Sequence, residues 1–210
     1  LVALLGGTLD LDVRQPELMF RHVDALQLEQ LTVVCGCGGG EAVRAVLPQV
    51  LAQAPRLVLD ADALNAIASD AALAQALADR APKAHATVLT PHPLEAARLL
   101  GTDTASVQSH RLAAAEQLAE RFQCVVVLKG SGTVVAAPNQ APRINPPGNA
   151  LLATAGTGDV LAGLAQGHQA GRPAARHRDA AGQVERRAAL LAQALQKAGR
   201  IDGAHRVVLR

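Results

Sequence analysis

The sequence predicts an α/β fold built on a mostly parallel sheet. Short apolar runs rich in Val and Leu recur at residues 31–35, 57–59, 86–90 and 124–129. Longer segments with helical character separate them. Gly, Asp or Pro closes each run. Strands that alternate with helices imply parallel pairing through crossover helices.

Taken in order, Leu31–Cys35 reads as a short buried strand that ends in the glycines of Gly36–Gly40. Glu41–Gln53 then reads as a helix. Leu57–Leu59 is a second strand, closed by Asp60 and Asp62. Ala61–Arg80 is helical with a break near Ser69-Asp70. Ala86–Thr90 is a third strand; Pro91 stops it, and Pro93 fits the first turn of the next helix. Ala105–Phe122 reads as one longer helix. Cys124–Lys129 is a fourth strand, and Gly130-Ser131-Gly132 turns the chain into Thr133–Ala137 as a hairpin partner. Gly156 to about Ala170 is a helix opened by a glycine turn.

The bulk numbers bound the function. A chain of 210 residues can bury one substantial core and is usually one domain. Half of it is hydrophobic, so disorder is not expected. With two Phe, no Tyr and no Trp, the core must be Ala, Val and Leu, and nucleic-acid binding by base stacking is disfavoured. No apolar run approaches the roughly 20 residues that span a membrane. The start carries no basic segment or convincing cleavage site, so no signal peptide is expected. It also lacks an initiator Met, as a fragment or a processed product would. Cys35, Cys37 and Cys124 form neither a disulfide framework nor a zinc pattern. Cys35-Gly36-Cys37 is expected to be two small residues beside glycines rather than a redox pair, and the composition suits a reducing cytoplasm. Residues 1–171 carry 11 basic and 15 acidic side chains, and residues 172–210 carry 9 and 3. The natural division is therefore a motif-bearing domain over 1–171 and an Ala/Arg-rich basic tail over 172–210. The tail, with only a narrow leucine stripe, is expected to pack poorly and to be dispensable for chemistry.

Ligands of parallel α/β sheets sit beyond the carboxyl ends of the strands, and the chemically suggestive residues fall there. In Thr154–Gly163, Gly156 and Gly158 let the backbone approach an anion, and the following helix offers free N–H groups and a positive dipole end. Asp159 would repel an anion but suits a base that deprotonates a hydroxyl attacking phosphorus. An Asp that caps its own helix fits the spacing equally well. Lys129–Thr133 follows a strand, and its glycines and hydroxyls could wrap nucleotide phosphates with Lys129 adding charge. It lacks Walker A order, and many hairpin turns look the same. His92, fixed between Pro91 and Pro93, is either a ligand contact or a helix cap. Asp60 and Asp62, with Asn65, offer a metal or ribose contact at a strand end, or simply capping by Asp62.

In this order the motifs resemble those of the NAD(P)H-hydrate dehydratase family: residues 59–65, 89–95, 128–133 and 156–163, the last preceded by Asn145–Asn149. Four ordered motifs are far more specific than one. The resemblance implies a ribokinase-like three-layer α/β/α sandwich, here expected to lack its first strand–helix unit. It implies a hydro-lyase that repairs hydrated NADH or NADPH by phosphorylating the ring hydroxyl and then losing phosphate. ADP or ATP would be the co-substrate, with Mg2+ as a helper for which the sequence shows no dedicated ligands. Asp159 would be the base, with the Gly156–Gly158 amides stabilising the transferring phosphoryl group. Lys129, Gly130, Ser131, Gly132, Thr133 and Gly158 would hold the nucleotide. Gly38 and His92, together with Asp159, would contact the hydrated dinucleotide. Partners are then small molecules, and homo-oligomers are left open. Two other readings share these residues: a small-molecule kinase of the same fold, and a nucleotide binder without turnover.

Overall fold

The computed structural model describes residues 19–145 without a break, together with Val2, Ala3, Leu5, Val13 and the backbone of Val207–Leu209. In chain order its elements are β1 (Val2–Ala3), β2 (Phe20–Arg21), β3 (Thr32–Cys35), α1 (Val43–Gln53), β4 (Arg56–Leu59), α2 (Ala61–Ala68) and α3 (Ala71–Ala78). They continue with β5 (Ala86–Leu89), α4 (Pro93–Leu100), α5 (Thr104–Ser109), α6 (Arg111–Phe122), β6 (Val125–Leu128), β7 (Val134–Ala136), β8 (Arg143–Ile144) and β9 (Val207–Leu209). The strands form one sheet in the order β2-β1-β9-β3-β4-β5-β6-β7-β8. Pairing is parallel from β2 through β6 and antiparallel across β6–β7 and β7–β8.

Successive strand residues point to opposite sides of a sheet. Val33, Cys35, Leu57, Leu59, Leu89, Val126 and Leu128 join one buried cluster with Leu47, Leu51, Leu64, Ile67, Leu77 and Leu118 of the helices. Val34, Val58, Val88, Val127 and Val135 form a second buried cluster. Both sides are therefore covered, which explains continuous apolar strands rather than alternating ones.

The register decides where a ligand can sit. Cys35 pairs with Leu59 and Leu59 with Leu89, so β3, β4 and β5 end level. Leu89 pairs with Val126, so β6 runs two residues further, to Leu128. At the opposite edge, the buried Arg80 donates to Thr87 Oγ1 and to the carbonyls of Leu51 and Ala54, tying the end of α1 to β5. Burial lowers its pKa to about 10.

Three expectations change. The helix over 105–122 is two helices, because His110 leaves helical geometry at φ −131°, ψ 49°. Asp103 opens the first, accepting from the Ser106 amide at 2.8 Å. Asp60, not Asp62, caps α2. The tail beyond residue 171 is not separate from the sheet throughout, since Val207–Leu209 lies between β1 and β3. The break at Ser69-Asp70 is as read: Asp70 Oδ1 accepts from the Ala72 and Leu73 amides and starts α3.

Candidate active site

Hydrogen bonds join the four strand ends into one edge. Gly36 follows β3 at φ +113°, and a Cβ there would fall 2.0 Å from the Asp60 carbonyl oxygen. Only glycine lets these two turns lie together. The Asp60 amide donates to the Cys35 carbonyl and the Asp62 amide to the Gly36 carbonyl, each at 3.1 Å. Asp62 Oδ2 accepts from the Gly40 amide at 2.8 Å, which closes the glycine loop against α2. Gly38, at the exposed crest of that loop, has φ +69°. The Thr90 amide donates to the Leu59 carbonyl, and the Lys129 amide to the Pro91 carbonyl at 2.8 Å.

A charged cluster lies beneath this edge. Asp60 is buried; its Oδ1 accepts from the Ala61 amide at 2.9 Å and from Lys129 Nζ at 2.7 Å. Glu95, also buried, has Oε2 at 3.9 Å from the same ammonium. His92 caps α4: its Nδ1 accepts from the amides of Leu94 and Glu95 at 3.1 and 3.2 Å. In return Glu95 Oε2 accepts from the His92 amide at 2.7 Å, which completes a capping box. With Nδ1 used as an acceptor, the imidazole presents Nε2–H, which lies 3.3 Å from Glu95 Oε1. Burial raises the Glu95 carboxyl above its ordinary range; the His92 amide, Lys129 and His92 oppose that shift, and Asp60 adds to it.

The Lys129–Thr133 turn is shaped by α6. Arg111 Nη2 donates to the carbonyls of Leu128 and Lys129 at 3.2 Å and of Gly132 at 3.3 Å. Gly130 has φ +141°, and a Cβ there would meet Arg111 Nη1 at 2.9 Å. Gly130 and Ser131 are exposed.

The structure thus brings Gly38, His92, Lys129, Gly130, Ser131, Gly132 and Thr133 to one edge. Gly156, Gly158 and Asp159 lie outside the described residues. Lys129 is engaged to Asp60, and His92 is a cap. Glu95 and Arg111 are the functional candidates that sequence reasoning missed; Asp60, read from sequence as a metal or ribose contact, is instead the buried partner of Lys129. Glu95 had a signal, three residues after His92 at capping-box spacing; Arg111 had none, being one arginine in a helix. Among the described residues no three His, Cys, Asp or Glu side chains group as metal ligands, and Asp60 and Asp62 are already engaged by Lys129 and by the Ala61 and Gly40 amides. The three cysteines are buried thiols, and burial pushes Cys35 up to about 12, far from a reactive thiolate. A groove of about 230 Å³ between Ser69 and Phe122 lies on the helices and holds none of the motif residues.

Comparison with known proteins finds a matching family and matching folds. A family model described as NAD(P)H-hydrate dehydratase matches residues 9–207. The ADP-dependent (S)-NAD(P)H-hydrate dehydratase of Neisseria meningitidis is 44% identical over 155 residues, 71% of this chain and 51% of that protein. The crystal structure of the ADP/ATP-dependent NAD(P)H-hydrate dehydratase of Bacillus subtilis, co-crystallised with ATP/Mg2+ and soaked with CoA, superposes with a TM-score of 0.55 at 29% identity. That match covers 73% of this chain and 56% of the other. A ribokinase-like superfamily protein of Enterococcus faecalis shares the fold, with a TM-score of 0.61 at 24% identity, covering 87% of this chain and 69% of that one. The chain spans about half the length of the Neisseria and Bacillus proteins.

Proposed function

Because the chain belongs to the NAD(P)H-hydrate dehydratase family, we propose that it restores NADH or NADPH from the hydrated dinucleotide at the expense of ADP or ATP. The observation that carries the reading is the carboxyl edge itself. Glycine loop, histidine, lysine turn and buried carboxylates, far apart in sequence, are bonded into one surface where ligands of such sheets bind. The exposed residues Gly130 and Ser131 of the Lys129–Thr133 turn suit nucleotide phosphates. Gly38 and the half-exposed imidazole of His92 suit the hydrated nicotinamide end.

In this reading Asp159 takes the proton of the ring hydroxyl as its oxygen attacks the terminal phosphorus of the nucleotide. The bond from that phosphorus to the bridging oxygen breaks, and AMP or ADP leaves. The amides of Gly156 and Gly158 stabilise the charge on the phosphoryl group. Loss of phosphate with a ring proton then restores the double bond. Mg2+ would travel with the nucleotide phosphates. The kinase of the same fold differs in product alone, and phosphorus NMR of a reaction with hydrated NADH and ATP separates the two. Free phosphate formed in step with NADH is expected; an accumulating phosphoester with no NADH would overturn the dehydratase reading.

A further inference from the structure

We propose that Arg111 is a positioning residue for the nucleotide, drawing the carbonyl oxygens of the Lys129–Thr133 turn inward so that its amides face the ligand. This rests on the nucleotide reading of that turn and adds a residue that lies outside every motif. The sorting of polar groups is the evidence. Arg111 Nη2 takes the carbonyls of Leu128, Lys129 and Gly132. Thr133 Oγ1 takes that of Gly130 at 3.1 Å, and the Asn145 amide takes that of Thr133 at 2.8 Å. Among the described residues, no acceptor is assigned to the amides of Gly130, Ser131 and Gly132. A turn whose carbonyls are mostly held by neighbouring groups while the Gly130–Gly132 amides have no assigned acceptor is suited to an anion.

The charge balance points the same way. The Lys129 ammonium is neutralised by Asp60 at 2.7 Å. Among the described residues no carboxylate pairs with Arg111, and Nη1 meets only the neutral Gln108 Oε1, at 3.0 Å. The uncompensated positive charge of this turn is therefore the guanidinium of Arg111. Its planar fork places Nη2 on the three carbonyls and Nη1 on Gln108 Oε1, a spread over two fixed nitrogens that a single ammonium cannot cover. The helix break at His110 makes Arg111 the first residue of α6, beside the turn.

Titration calorimetry of the full chain with ADP tests this, using wild type, Arg111→Lys and Arg111→Ala. Both variants are expected to raise the ADP Kd about tenfold, equivalent to about 1.4 kcal/mol. The KM for hydrated NADH should stay within about twofold, since the carbonyls that Arg111 holds belong neither to the Gly38 loop nor to His92. Guanidinium ion in the buffer should restore part of the ADP affinity of Arg111→Ala and none of that of Arg111→Lys. ADP affinity unchanged in Arg111→Lys, or equal losses for both ligands, would overturn the inference. If Arg111→Ala does not fold, Arg111→Lys alone decides. A wild-type chain without ADP affinity would instead remove the nucleotide reading, and this inference with it.

Discussion

At the scale of single residues, Lys129, Asp60 and Glu95 matter for stability before they matter for chemistry. The ammonium of Lys129 is the partner of a buried Asp60, and removing one partner of a buried pair leaves an uncompensated charge. Lys129→Met is therefore expected to lower unfolding stability by about 3–5 kcal/mol, and Asp60→Asn in the same chain should recover much of that in a denaturant titration. Additive losses in the double variant would show that the pair does not interact. Glu95 gives a pH signature. Its folded pKa lies above the ordinary value of 4.5 because burial disfavours the carboxylate, with Lys129, His92 and Asp60 facing it. The folded chain thus holds this proton more tightly than the unfolded chain does. Stability from Glu95 is fully present below 4.5 and is lost as pH rises through the raised pKa. Wild type should gain in melting temperature on Glu95→Gln as pH falls from neutral toward 4.5. A difference independent of pH would mean that Glu95 titrates alike in both states.

At the scale of elements, the sequence carries what is local and hides what is made by tertiary bonds. Strands β3 to β7 and helices α1 to α4 are legible because their apolar runs are bounded by Gly, Asp and Pro, whose turn and cap chemistry is local. The two-residue strands β1, β2 and β8 have no pattern to read, as pairing alone defines them. The break at His110 is equally silent, since Val107, Arg111, Ala114, Ala115 and Leu118 lie on one helical stripe straight through it. At His92 the sequence fits two roles, ligand contact and helix cap, and the bonds of its Nδ1 show the cap. His92→Ala should accordingly cost about 1 kcal/mol of stability as a lost N-cap, in addition to any effect on KM. A variant as stable as wild type would show that α4 starts without it.

At the scale of the whole molecule, one sheet gathers distant segments, and that gathering makes the site. Val207–Leu209 sits between β1 and β3, so a segment from near the end of the chain pairs with the strand that carries the glycine loop and joins it to β1. Charge asymmetry and an Ala/Arg-rich composition could not reveal this, because three apolar residues at the end of a basic tail carry the pairing. Truncation after Gly171 should therefore abolish cooperative thermal unfolding, by stripping β9 from the middle of the sheet; a truncated chain that melts like the full one would contradict that place for β9. The central claim, that this edge dehydrates hydrated NAD(P)H, is tested most directly by the recovery of NADH absorbance from hydrated NADH, with ADP and ATP supplied separately, in wild type and in Asp159→Asn. The account predicts nucleotide-dependent recovery by wild type and a loss of about 10²–10⁴ in rate in the variant, with nucleotide affinity retained. No recovery by the full chain with either nucleotide, or near wild-type recovery by Asp159→Asn, would contradict it.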